Sequence, residues 1–83
     1  MKYSFPAIFE EDKEDPKLIN VTFPDIMGAV TFGEGEDDAM FMAKDLLLLM
    51  LEEDYVKNIK PKTLQETKNN FPDKKVLLVE VEI

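Results

Sequence analysis

The chain has 83 residues and carries 18 Asp and Glu against 10 Lys and Arg, a formal charge of −8. It is therefore sized for one domain, and it repels the phosphate backbone of nucleic acid. With no Cys and no His, disulfides, thiolate zinc sites and Cys nucleophiles are excluded, and the commonest general base and transition-metal ligand is missing.

What remains for chemistry is carboxylates, two tyrosines and the lysines. A chain this short buries a modest share of its surface, so an oligomer or a partner that shares the core is expected, and the charge favours a basic protein. The opening MKYSFPAIF lacks the apolar core and small-residue cleavage site of a secretory leader, and the run LLLLML at 46–51 is far shorter than a membrane span. A soluble, cytoplasmic protein is the expectation.

In chain order, Lys2 to Phe9 reads as a strand with Tyr3, Phe5, Ala7 and Phe9 on one face. Pro6 cannot donate a ladder hydrogen bond, which suggests an edge or a bulge. The acidic run from Glu10 to Pro16 has hairpin-loop composition, and Leu18 to Phe23 resumes as a strand with Ile19, Val21 and Phe23 facing one way. Pro24 and Asp25 begin a turn that Gly28 completes, and Ala29 to Phe32 is a third short strand. Gly33-Glu34-Gly35 reads as the turn that ends it.

Glu36, Asp37 and Asp38 suit a helix N-terminus, and a helix is expected from there to Tyr55 or Lys57. At about 100° per residue, Ala39, Met42, Ala43, Leu46, Leu47, Leu49 and Met50 form its core face. Phe41, Leu48 and Tyr55 recur every seventh residue on roughly the opposite side, among Lys44, Asp45 and Glu52. Asn58 to Asp73 reads as a connection in which Thr63 to Glu66 forms at most a short helical turn. The last strand, Val76 to Ile83, is apolar on both sides at its start and alternates with Glu80 and Glu82 at its end.

Each candidate feature has a plain reading beside the functional one. Glu10, Asp12, Asp25, Glu80 and Glu82 are the carboxylates that a two-metal nuclease would need, but acidic residues in loops and on a wet strand face are ordinarily solvated charge. No catalytic residue, metal site or cofactor is assigned. The glycines near the helix start lack the Lys and the spacing of a phosphate-binding loop and are read as turn-formers. Phe41, Leu48 and Tyr55 are single surface residues, are covered by the following connection, or form a homodimer face. The acidic loop either solubilises the chain or steers a basic partner toward it.

Four segments together resemble the HicB family, the antitoxins of HicA–HicB toxin–antitoxin pairs. They are Tyr3 to Glu10, Val21 to Gly28, Thr31-Phe32-Gly33 with Asp38-Ala39 entering the helix, and Val76 to Val81. The position after Gly28, often Cys in that family, is Ala29 here. The resemblance implies an α+β domain with a partial ribonuclease H-like fold: three antiparallel strands, one main helix on a face, then a last strand, in the order βββαβ. Many members of that family add a C-terminal DNA-binding domain; here residues 1–83 are expected to form a single HicB-like domain without a separate DNA-binding domain, a departure from that pattern, and no direct nucleic-acid binding is expected from this chain alone. The resemblance also implies a non-enzymatic role, in which the chain binds a small basic mRNA-cleaving HicA-type toxin and occludes its active site. Glu10, Glu11, Asp12 and Asp25 are the toxin-contact candidates, and Phe41, Leu48 and Tyr55 are the oligomer or partner interface candidates. A stand-alone homodimer without a toxin is the alternative.

Overall fold

The computed structural model covers residues 1–83. Its elements run β1 (Lys2–Glu11), β2 (Leu18–Thr22), β3 (Val30–Glu34), α1 (Gly35–Met50), α2 (Asp54–Lys57), α3 (Leu64–Asn70) and β4 (Lys75–Glu82). The strands form one antiparallel sheet in the order β3-β2-β1-β4, and the fold is the α+β class expected.

Strand alternation sorts the side chains onto two faces. Phe5, Ala7 and Phe9 of β1, Val21 of β2, and Val79 and Val81 of β4 point to one side and are buried there in a single cluster with Ala39, Ala43 and Leu47 of α1. The small side chains at 39 and 43 let the helix lie close to the sheet. Leu51, Val56, Phe23, Ile26 and Ala29 close the same core at the far end of α1. Full burial of a side chain such as Leu47 contributes about 1.5–3 kcal/mol.

The other face is covered over half its width. Ile8 and Val76 are cross-strand partners, both buried outside the α1-side cluster along with Pro6. The element that packs against β1 and β4 there is α3, which turns buried Thr67 and half-buried Leu64 and Phe71 inward. On the β2–β3 half nothing covers the sheet, and Val30 and Phe32 remain 62% and 57% exposed.

Five local expectations are corrected. The segment from Asn58 to Asp73 holds a seven-residue helix, α3, rather than at most one short turn. Its start is set by a capping box: Thr63 Oγ1 accepts the Glu66 N–H at 3.0 Å, and Glu66 Oε1 accepts the Thr63 N–H at 2.9 Å. The T-x-x-E spacing was present in the sequence, but the polar composition concealed it. The main helix stops at Met50, and Tyr55 belongs to α2. Its last turn has no basic residue and runs into Glu52, Glu53 and Asp54; carboxylates oppose a helix C-terminus and favour the N-terminus of the next helix.

Leu49, placed on the core face by its phase, is 61% exposed, because the buried stripe is the narrower Ala39, Ala43, Leu47 and Leu51. Gly33 lies inside β3 rather than in a turn; the first turn of α1 sits directly on it. Pro6 falls in β1, an interior strand, without a bulge. It pairs with Leu78 across β4, while β2 pairs only with Ile8 to Glu11. Ile83 N–H donates to Met1 O at 2.9 Å, so odd-numbered β1 residues bond to β4 and Pro6 turns its nitrogen the other way. On that side the β1–β2 register would set it against Pro24. Neither proline has an N–H, and the ladder ends there.

Candidate partner-binding surface

The antiparallel order carries the β1–β2 loop, the C-terminal end of β3 and the first turn of α1 to one end of the sheet. With the C-terminal end of β1 included, nine of the chain's 18 acidic residues lie at this end: five between Glu10 and Asp15, and four between Glu34 and Asp38. The hairpin register sets Leu18 against Glu34, which brings the two runs together. From sequence, Glu36, Asp37 and Asp38 mark only a helix start, and the pairing of β2 with β3 is the signal that joins them to the loop.

Three adjacent carboxylates at the end of β1 and the start of the loop differ in their surroundings. Glu10 forms an ion pair with Lys74. Asp12 organises the loop: one oxygen accepts the N–H groups of Glu14 and Asp15 at 3.0 and 3.1 Å, and the other accepts Asn20 Nδ2 at 3.0 Å. These bonds to Asn20, Glu14 and Asp15 hold the Asp12 carboxyl below the usual carboxylate range. Glu11 makes no such bond and points its charge into solvent. The surface here is an open depression of about 450 Å³ lined by Glu10 to Glu14 and Asn20, with no apolar side chain.

Asn20 also lines a second groove of about 560 Å³, with Thr22, Val30 and Phe32, on the bare half of the sheet. The acidic depression and the apolar groove thus share Asn20 in their linings. An acidic rim beside an exposed apolar strip can steer and then seat a basic partner.

Asp25 lies apart from this surface, in the β2–β3 connection at the opposite end of the sheet. Its side chain is only 8% exposed; it accepts the Lys62 N–H at 3.2 Å and has Lys62 Nζ at 3.5 Å. It ties the segment before α3 to the end of β2. Phe41 and Leu48, on the side of α1 away from its buried stripe, are 67% and 41% exposed, and Tyr55, on α2, is 55% exposed. Glu80 accepts Ser4 Oγ at 2.9 Å, and no group of three acidic side chains converges as a metal-binding set.

No family model and no curated protein matches the sequence. Among solved structures the chain is similar to the N-terminal domain of Burkholderia pseudomallei antitoxin HicB, at 23% identity and a TM-score of 0.72, over 98% of this chain and 100% of that one. A toxin–antitoxin complex from Streptococcus pneumoniae matches at 22% identity and a TM-score of 0.76, over 99% of this chain and 70% of that one. Burkholderia pseudomallei antitoxin HicB matches at 27% identity and a TM-score of 0.74, over 98% of this chain and 64% of that one. The likeness runs over nearly the whole chain in each case, and this four-stranded sheet with its helices is a HicB-type antitoxin fold.

Proposed function

We propose that this chain is a cytoplasmic, non-enzymatic antitoxin-like protein that binds a small basic, mRNA-cleaving toxin of the HicA type and blocks its active site. The observation that carries this reading is the gathering of half the chain's carboxylates at one end of a HicB-type sheet, beside an uncovered apolar strip. Charge at such a surface raises the association rate and selects the partner. Glu11 is the free contact in this account, Glu10 joins it by exchanging its exposed pair with Lys74 for a cation of the partner, and Asp12 shapes the loop beside them. A contact through Asp25 first requires release of Lys62, so its part is to hold the scaffold.

Co-expression with a small basic protein encoded beside this chain tests the proposal, and the lack of any such neighbour counts against it. Co-purification that weakens as salt rises, and weakens further in Glu11→Lys, is the expected outcome. A neighbour that fails to co-purify at low salt contradicts it.

The exposed Phe41, Leu48 and Tyr55 favour a second reading, in which the chain forms a homodimer through the outer side of α1, with or without a toxin. Leu48→Glu then converts a dimer to a monomer in size-exclusion chromatography, and an unchanged oligomeric state removes that face from consideration.

A further inference from the structure

The bare half of the sheet ends in an edge strand, β3, paired only with β2, and hydrogen bonds beyond its two ends fix which of its residues face outward. Gly35 N–H donates to Lys17 O at 2.9 Å past one end, and Phe23 N–H donates to Ala29 O at 3.0 Å past the other. Stepping in twos from either end makes Gly33 with Ile19, and Thr31 with Val21, the pairs that exchange hydrogen bonds. Val30, Phe32 and Glu34 therefore turn their N–H and C=O groups away from β2. The Glu34 N–H is taken by Asp38 Oδ2 at 2.8 Å, which leaves the main chain of Val30 and Phe32 open.

The opposite edge is guarded. There the outward-facing residues of β4 include Glu80 and Glu82, charges of the kind that keep edge strands from pairing. Val30 and Phe32 present no charge, and their exposed side chains line the 560 Å³ groove, which shares Asn20 with the acidic depression.

We infer that β3 is a strand-addition site for an extended basic segment of the partner protein. The inference rests on the antitoxin-like reading and specifies how that partner is held. Main-chain bonds to Val30 and Phe32 set the register, apolar side chains of the segment rest in the groove, and its Lys or Arg residues reach Glu34 and the acidic end. Charge selects this occupant over a second copy, because two chains of −8 would meet edge to edge with no Lys or Arg in either β3.

Amide hydrogen exchange on the full chain tests this with two probes, an alternating Lys–Val peptide and the small basic protein encoded beside this chain. Bound probe is expected to slow exchange at Val30 and Phe32 and to leave Leu78 and Glu80 unchanged. Val30→Pro deletes one outward N–H without removing a β2 ladder bond, and Phe32→Lys keeps the N–H but adds a like charge; each is expected to weaken peptide binding by about tenfold. If the neighbouring protein binds while Val30 and Phe32 exchange as in the free chain, strand addition is overturned and the antitoxin-like reading stands. If the neighbour does not bind but the peptide protects both amides, the antitoxin-like reading fails and the strand-addition site stands. Absence of protection with both probes overturns the site, as does protection in the probe-free chain that grows with its concentration, which assigns the edge to a second copy.

Discussion

Gly33 has no room for a side chain. A Cβ there would lie 2.4 Å from the Ala39 backbone nitrogen and 2.6 Å from its Cα, and the atoms it meets are helix backbone, which cannot rotate aside. Gly33→Ala is expected to lower stability by about 1–3 kcal/mol, read from denaturant unfolding, by lifting α1 off β3. Gly35, at φ 82°, is constrained by conformation instead, with open space around it. Both glycines stand in one short motif, yet only the structure separates a close approach from a left-handed turn. The same holds for the acidic loop. Glu10, Glu11 and Asp12 are adjacent acids in the sequence, but an ion pair, solvent and three hydrogen bonds are their different fates. Those fates depend on Lys74 and Asn20, brought near by strand register. Because folding lowers the Asp12 pKa, its contribution is present above the ordinary Asp value and is lost as pH falls through the folded value. Acidification through that lowered value is expected to release the loop, seen as lost protection of the Glu14 and Asp15 amides relative to neutral pH while that of β1 residues such as Phe5 is kept.

Among the elements, the strands and the start of α1 were legible because alternation, turn residues and first-turn acids are local signals. The stop of α1 at Met50 was less so, since the apolar phase continues to Tyr55 while the charges at Glu52 to Asp54 interrupt it. Helix α3 is hard to read from sequence because only Leu64 and Thr67, with Phe71 just past its end, mark its inner side, too few to give a clear period. Its capping box nevertheless fixes where it starts, and it covers Pro6, Ile8 and Val76. Thr63→Ala is expected to remove about 1 kcal/mol and to raise the exchange rates of the α3 amides while leaving those of α1 unchanged. The pKa of Glu66 is lowered by its bonds with the Thr63 backbone and hydroxyl, so the cap also weakens as pH falls through its folded pKa.

At the scale of the whole molecule, the net charge was legible from composition, but its location was not. The topology places half the carboxylates at one end of the sheet and leaves β3 bare beside them. Meanwhile α3 and the glutamates of β4 close the other side. That asymmetry gives the chain one face suited to a basic protein. The most direct measurement is RNA cleavage by the purified small basic neighbour, titrated with this chain. The expected result is inhibition that is complete near equimolar protein and relieved by Glu11→Lys. Undiminished cleavage at saturating amounts of this chain would contradict the account.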